Sequence, residues 1–319
     1  TVGIDDNVIN PSPLSEDFRY ETGVENPCRT VGISENPIYK ISTNLQPMIN
    51  PIKIASYPFP LRVIIFLLIL AAIWLPLAAP IYLLVKDSNL ATILTMGLLF
   101  TEFLFLLPRW GKQVYGQTQL LKSYGLVNTR QNGFEFLTGL AIGISITFTL
   151  FLVQGLLGFV AWQNSHNLPK IIAEGLLSAL AVGFFEELIF RGWLFDELQR
   201  DYSYPMSVRA NSLVFALSHF IKSVEGMLRT WPQFPGLLLL GSILVLAKRS
   251  RQNRLGLSIG LHAGLVWGYY IINVGELVRY SGSVPDWVTG INGNPLAGAI
   301  GLLFLSVLAV GMRKSVSSQ

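Results

Sequence analysis

Three ionisable side chains stand inside one long apolar stretch of the sequence. The segment GFFEELIFRGWLF, residues 183–195, holds adjacent carboxylates at Glu186 and Glu187 and a guanidinium at Arg191. Ionisable groups in a membrane-length apolar segment are rare and costly, so they indicate a functional site. On a helix, Glu187 and Arg191 share a face and can form an ion pair. Glu186 lies about 100° round the helix, on a neighbouring face that can line a polar cavity.

Two of the three histidines also fall within apolar segments. His219 ends the stretch FALSH and His262 stands in LHAGLVW, whereas His166 lies in a polar loop and is expected to be solvated. At about 1.5 Å per helical residue, Glu186, His219 and His262 lie roughly 10 to 20 Å from the same membrane face. We therefore predict that one carboxylate and two imidazoles, from three separate helices, converge on one hydrated cavity.

Such a site has more than one chemical use. A glutamate beside two histidines can act as a general base that activates water. The same three side chains can also hold a divalent metal such as zinc, with one position left open. A third interpretation gives these groups a purely structural role, as hydrogen bonds between membrane helices.

Composition places these residues in a polytopic membrane protein. The chain is 51% hydrophobic and 13% charged, and its mean hydropathy is +0.49; soluble domains carry about 25% charged residues. The net charge of +4 gives little reason to expect a nucleic-acid partner, because the basic residues cluster at the ends of apolar runs. Cys28 is the single cysteine, so no disulfide can form within the chain.

Hydropathy predicts an all-α bundle of about eight transmembrane helices. The fifth and sixth segments are short for a span of about 20 residues. The predicted spans are 63–85, 90–108, 134–160, 171–195, 206–221, 234–247, 255–274 and 296–312.

Charge distribution predicts the orientation of the bundle. Most of the 23 Lys and Arg residues fall in the N-terminal tail and after the even-numbered spans. The positive-inside rule then puts both termini on the cytoplasm-equivalent face. The loop at 112–133 is predicted to form an amphipathic helix in the membrane interface.

Residues 1–57 differ in composition from residues 58–319, which form the predicted transmembrane domain. The first segment is rich in Pro, Asn, Ser and Glu and has no sustained period, which is typical of a disordered or extended tail. Such a tail can also dock a membrane-complex partner through a linear motif.

The polar residues of the spans resemble the motifs of a known family. EELIFR, with Glu186, Glu187 and Arg191, is similar to the EExxxR signature of the CPBP intramembrane proteases, the CAAX protease and bacteriocin-processing family. FALSH, ending at His219, resembles the second motif, FxxxH. His262 stands where the third motif, HxxxN or HxxxD, begins.

The resemblance implies an intramembrane endopeptidase, a hydrolase. Glu186 would activate a water with His219 and His262, and Glu187 and Arg191 would form the orienting pair. Members of the family have been interpreted as metalloproteases and as metal-free glutamate proteases, and prenylated CAAX proteins are one class of substrate. The expected partners are membrane lipid and a peptide or membrane-protein substrate, in a bacterial inner or an organellar membrane.

The third motif departs from the family pattern at its last position. Val266 stands where the family has Asn or Asp, and a valine cannot stabilise a developing oxyanion, which can cost about 3 kcal/mol. The sequence therefore leaves open a protease that uses Trp267 or a backbone donor instead. It also leaves open a catalytically weak or inactive scaffold that docks a partner through residues 1–57. A proton relay or transporter is the third class, but no paired repeat halves are present to favour it.

Overall fold

The computed structural model describes residues 51–317, which form a bundle of α-helices with one small hairpin. Most of the predicted tail, residues 1–57, lies outside the described residues. The α-helices are α1 (Pro51–Ile54), α2 (Phe59–Leu84), α3 (Ser88–Tyr115), α4 (Leu120–Ser123), α5 (Arg130–Leu156), α6 (Leu168–Glu186), α7 (Phe195–Asp201), α8 (Tyr204–Ser218), α9 (Val224–Thr230), α10 (Phe234–Arg249), α11 (Gly256–Val274), α12 (Asp286–Thr289) and α13 (Ala299–Ser317).

The remaining elements are short. Strands β1 (Val160–Trp162) and β2 (Val278–Tyr280) pair antiparallel, and they join the ends of α5 and α11. A π-helical segment, Glu187–Leu194, connects α6 to α7 without a break. Single 3₁₀ turns lie at Trp231–Gln233, Ile291–Gly293 and Pro295–Ala297.

Within residues 51–317, seven helical runs are long and apolar enough to cross a membrane. The shortest has 19 residues, or about 28 Å at 1.5 Å per residue, close to the ~30 Å hydrocarbon core. The protein is therefore an integral multi-pass membrane protein, and the predicted all-α bundle is confirmed. The runs are α2, α3, α5, the α6–α7 run Leu168–Asp201, the α9–α10 run Val224–Arg249, α11 and α13.

Helix α8 is the predicted fifth span, and it is too short to be counted among the seven. Its 15 residues extend about 22 Å. Just after the helix ends, His219 Nδ1 lies 2.8 Å from the Phe215 carbonyl oxygen, one of the last carbonyls that a helix leaves without a backbone partner. Helix α8 nevertheless runs antiparallel to α10, since Tyr204 lies under Arg249 and Phe220 lies beside Phe234.

Helix α11 lies at the centre of the bundle, packed between α5 and α6. Glycines at positions 139 and 143 of α5 face glycines at 260 and 264 of α11, and a Cβ built at Gly143 would stand 2.6 Å from the Leu261 carbonyl oxygen. Small residues four apart allow two membrane helices to approach to backbone contact. On the other side, a Cβ at Gly183 of α6 would meet Ala263 at 3.0 Å. The contact of Gly183 with Ala263 fixes the position of α11 along α6, the helix that ends at Glu186.

The π-helical segment was not predicted, because the apolar pattern continues through it. A π turn has i→i+5 hydrogen bonds and widens the helix locally, often at functional sites. The segment begins at Glu187, the residue after the end of α6. The change of helical geometry therefore falls between the two adjacent carboxylates.

The predicted interfacial helix over 112–133 is wrong. Helix α3 continues to Tyr115 and stops at Gly116, whose φ of 67° lies in the left-handed region. Only the four residues of α4 are helical before α5 begins. The apolar side chains of this loop, Leu120 and Tyr124, are buried in the protein core rather than laid on the membrane surface.

Arg62, near the start of α2, is buried in a polar cluster. Its Nε donates to Glu197 Oε2 at 2.9 Å, and its Nη1 lies 2.9 Å from Asp201 Oδ1. Tyr115 and Trp110 of α3 also donate to the Glu197 carboxylate. The cluster ties α2 and α3 to α7, which continues the helix that holds Glu186.

Candidate active site

Four helical elements contribute the predicted site residues. Glu186 is the last residue of α6, while Glu187 and Arg191 belong to the π-helical segment. His219 directly follows α8, and His262 lies in the buried part of α11. The structure brings all five side chains into one cluster, which has a buried half and an open half.

Glu187 forms the centre of the buried half. Its side chain is fully buried, and its Oε1 accepts from Arg191 Nη1 at 2.8 Å and from His262 Nδ1 at 2.9 Å. The Ser258 hydroxyl donates to its other oxygen, Oε2. A buried charge is tolerated only when it is paired and hydrogen-bonded, and Glu187 meets both conditions.

Arg191 is equally enclosed. Its Nη2 donates to the Gly241 carbonyl of α10 at 3.1 Å, and its guanidinium lies 4.2 Å from the centre of the Phe215 ring. The ammonium of Lys248 donates to the Arg191 carbonyl at 2.6 Å. The pair Glu187–Arg191 thus joins α8, α10 and α11 to the π-helical segment.

The open half contains Glu186, His219 and His262. Glu186 Oε2 lies 3.9 Å from His219 Nε2 and 3.8 Å from His262 Nε2. The Glu186 and His219 side chains are 29% and 32% exposed, whereas that of His262 is 4% exposed. The two imidazoles therefore flank the carboxylate from an accessible side and from a buried side.

The hydrogen bonds fix which nitrogen of each imidazole faces Glu186. His219 Nδ1 lies 2.8 Å from the Phe215 carbonyl, and His262 Nδ1 lies 2.9 Å from Glu187. Because both partners are acceptors, Nδ1 must be the protonated nitrogen in each neutral ring. Each Nε2 then presents a lone pair toward Glu186 Oε2.

When both rings are neutral, three acceptors face one another without a donor among them. Glu186 Oε2 is a buried atom that has no hydrogen-bond partner among residues 53–317. Buried polar atoms are nearly always satisfied by protein or by ordered water. A water molecule or a cation at the centre of the three atoms would satisfy the arrangement.

The donor set suits a divalent metal in its chemistry. Two imidazole nitrogens and one carboxylate oxygen are a common catalytic zinc set, and the carboxylate behind His262 is a typical partner of a ligating histidine. The separations of 3.8 and 3.9 Å are wider than the ~3.3 Å between neighbouring ligands of a tetrahedral zinc. No group of three His, Cys, Asp or Glu side chains within the described part of the chain has the spacing of a metal site.

Sequence reasoning missed two residues of this cluster. Ser258 is four residues before His262 and therefore on the same face of α11, a signal that was available in the spacing. Phe215 was treated only as a motif letter, yet its ring packs against Arg191, His219 and His262. The carbonyl of Gly241 carries no signal in its side chain.

Trp267, the residue considered as a substitute for the missing amide, is engaged elsewhere. The Trp267 indole donates to the Ile172 carbonyl at 2.9 Å. Val266 lines an apolar cavity that it shares with His262. The position at which the family has Asn or Asp is thus an apolar wall in this protein.

Comparison with known proteins identifies the stretch that contains the cluster. The family model described as "Type II CAAX prenyl endopeptidase Rce1-like" matches residues 168–268. This match confirms the family resemblance. The matched stretch holds all five candidate residues and omits α2, α3, α5 and α13. The comparisons with curated proteins and with solved structures gave no match.

Proposed function

We propose that this protein is an intramembrane endopeptidase in which Glu186 activates a water molecule. The observation that carries the proposal is the position of Glu186 Oε2, an unpartnered acceptor at 3.8 and 3.9 Å from two imidazole nitrogens. The Rce1-like match over residues 168–268 supports a peptidase of the CAAX protease type that acts on peptides at a membrane.

In the proposed reaction, the open half of the cluster contacts the water and the substrate, and the buried half positions His262. Glu186 takes a proton from the water, whose oxygen attacks the scissile carbonyl carbon, and later returns that proton to the leaving amine nitrogen. His262 Nε2 accepts a hydrogen bond from the other hydrogen of the water, which stays on the attacking oxygen, and Glu187 holds the ring in that orientation. His219, on the accessible side, donates to the developing oxyanion when its Nε2 is protonated.

The donor types of the same residues suit a divalent metal, although their separations are wider than those of a metal site. Glu186, His219 and His262 would hold it, and when bound it would polarise the water and the carbonyl. Chelation of the purified protein, followed by elemental analysis, separates the two cases. Release of one equivalent of metal with loss of activity would show that a metal ion activates the water. Full activity in metal-free protein would show that the protein side chains alone activate it.

The experiment that tests the proposal compares two glutamates of α6. Purified protein in lipid vesicles is given a fluorogenic library of membrane peptides, and kcat/KM is measured for the best substrate. We expect Glu186→Gln to lower kcat/KM by about 10²- to 10⁴-fold. Glu174→Gln, whose side chain is 54% exposed on the same helix, should leave it unchanged. Equal rates for wild type and Glu186→Gln would refute the proposal.

A non-catalytic scaffold is the second candidate, and the apolar side chain at Val266 favours it. In that case a stable complex would co-purify with the protein, unaffected by Glu186→Gln. Deletion of residues 1–50 would abolish the complex while leaving the contact of Tyr57 with Arg62 intact. Retention of the complex after this deletion would exclude docking through the tail.

We also infer that both termini face the cytoplasm-equivalent side of a bacterial inner or organellar membrane. The support is the basic tail and the antiparallel packing of α8 on α10. With α8 counted beside the seven long runs, the chain makes eight passes, and an even number brings both termini to one side. Cys28 is the single cysteine, so a membrane-impermeant maleimide reports the side of the tail directly. We expect labelling only after the membrane is permeabilised.

A further inference from the structure

The strongest feature that the proposed reaction does not use is the buried ammonium of Lys248. Its side chain is 6% exposed, whereas Arg249, the next residue of α10, is exposed. Among residues 53–317, Lys248 forms no ion pair with a carboxylate. A basic residue at a membrane face would normally extend its charge to water, and a buried cation without a counter-ion is costly. A specific contact must therefore keep it inside the protein.

The ammonium binds a carbonyl that the change of helix type leaves without its usual partner. In an α-helix, the Arg191 carbonyl would accept from the N–H of Phe195, four residues later. Here the Phe195 N–H bonds the carbonyls of Phe190 and Gly192, five and three residues earlier. Lys248 Nζ donates to the Arg191 carbonyl at 2.6 Å. A side chain thus supplies the donor that the π turn removes from the backbone.

A second buried side chain donates to the preceding carbonyl. Asn211 of α8 is 0% exposed, and its Nδ2 donates to the Phe190 carbonyl at 2.6 Å. Two neighbouring carbonyls of the π-helical segment therefore receive donors from two different helices, α8 and α10. A return of the segment to α-helical geometry would move both carbonyls away from these donors.

Both ends of the π-helical segment are held by other helices. Before it, α6 contacts α11 through Gly183, and after it Glu197 binds Arg62 of α2. Adding or removing one residue of helical repeat turns everything beyond it by about 100°. Because the two ends are held, a relaxed segment would absorb that rotation within itself, where Glu187 lies.

We propose that Lys248 is a positioning residue of the active site. Its ammonium stabilises the π-helical geometry at Arg191 and so keeps Glu187 in hydrogen-bond contact with His262. Asn211 does the same one carbonyl earlier. The inference rests on the proposed peptidase function and deepens it, because Glu187 orients the imidazole that contacts the attacking water. Lys248 acts through these residues rather than on the reacting atoms.

Solid-state NMR of the protein in lipid vesicles tests the contact without a substrate. Arg191–Gly192 is the only Arg–Gly pair in the chain, so isotope labels on the arginine carbonyl carbon and the glycine nitrogen select the Arg191 carbonyl. We expect Lys248→Met to shift this carbonyl signal, because the donor is lost, and to shift the ring signal of His262 Nδ1. The ring signals of His166, in an exposed loop, are the internal reference and should not move.

Activity provides the second readout. Lys248→Met should lower kcat by about 10²-fold with little change in KM, since misplaced catalytic groups affect the transition state more than substrate binding. Lys248→Arg keeps a donor and should retain both NMR signals and most of kcat. Arg249→Met is the matched control, because it removes an exposed cation that lies over the Tyr204 ring. It should leave the signals and kcat at their wild-type values.

Two results would overturn the positioning role while leaving the peptidase intact. One is an Arg191 carbonyl signal that is unchanged in Lys248→Met. The other is a shifted carbonyl with an unchanged His262 signal and unchanged kcat, which would make Lys248 a structural contact only. If wild type cleaves no peptide, the peptidase fails, and a joint shift of the two signals still supports the positioning role. If Lys248→Met does not fold, Asn211→Leu removes the other donor and is judged by the His262 signal and kcat.

Discussion

The two adjacent glutamates have opposite surroundings in the bundle. Glu187 is fully buried and accepts from a guanidinium, an imidazole and a hydroxyl. Glu186 is 29% exposed, and its Oε2 has no partner among residues 53–317. The same side chain is thus used once to hold helices together and once to remain available. The number of hydrogen-bond partners that a carboxylate has, rather than its residue type, separates a structural carboxylate from a reactive one.

The largest effect on activity is expected in the open half. His219→Ala removes the imidazole proposed to donate to the developing oxyanion and should lower kcat/KM by about 10²- to 10³-fold. Because its side chain is 32% exposed, the midpoint of thermal unfolding should hardly change. His166→Ala, in an exposed loop, is the control for loss of an imidazole. A comparable loss of activity in both variants would remove His219 from the site.

The largest effect on stability is expected in the buried half. Arg191→Leu leaves the Glu187 carboxylate buried without a cation, and it should lower the free energy of unfolding by about 3–5 kcal/mol. The double variant Glu187→Leu/Arg191→Leu should recover most of that loss, because no unpaired charge remains. Denaturant titration in detergent measures both. The pair Asp196–Arg200, which has the same spacing but is partly exposed, provides the matched comparison.

Ser258 allows a finer test of the buried half. Ser258→Ala removes one donor to a buried carboxylate, and hydrogen bonds to charged groups contribute about 1.5–3 kcal/mol. We expect a loss of stability in that range and a smaller loss of activity through the position of His262. Ser306→Ala, which removes an exposed hydroxyl bonded to its own helix, should have no measurable effect. Equal stability of the two variants would show that Ser258 is not needed to hold Glu187.

The smallest effect is expected from an exposed ion pair on the same helix as the two glutamates. Lys170 and Glu174 lie 3.7 Å apart, and their side chains are 72% and 54% exposed. Lys170→Ala should lower the free energy of unfolding by no more than ~0.5 kcal/mol, and the loss should disappear at high salt. A loss as large as that for Arg191→Leu would contradict the contrast between exposed and buried pairs.

Much of the fold could be predicted, because hydropathy reports directly on burial in a membrane. The spans at α2, α3, α5, α11 and α13 were found with shifted ends. The length of α8 was not, since the apolar residues Phe220 and Ile221 continue the pattern past the end of the helix. The π-helical segment leaves no mark in the apolar pattern. The burial of Arg62 could not be predicted from the sequence because its partner Glu197 is 135 residues away.

The site, like the fold, could be predicted in part. Residue types and motif spacing were sufficient to select Glu186, His219 and His262, and the helical offset of 100° separated the two glutamates. Contacts made by the backbone could not be read from the sequence, which is why the Gly241 and Phe215 carbonyls were missed. The role of each selected residue in catalysis stays a prediction until activity is measured.

The glycine contacts around α11 have a consequence for how a substrate must arrive. His262 sits on a helix clamped by backbone on two sides, whereas His219 stands at the last turn of a short helix, before an exposed loop. The imidazole of His262 is therefore held on a tightly packed helix, and that of His219 lies at the accessible side of the cluster. We expect a peptide to reach Glu186 from the side of His219, because the His219 side chain is 32% exposed whereas that of His262 is 4% exposed.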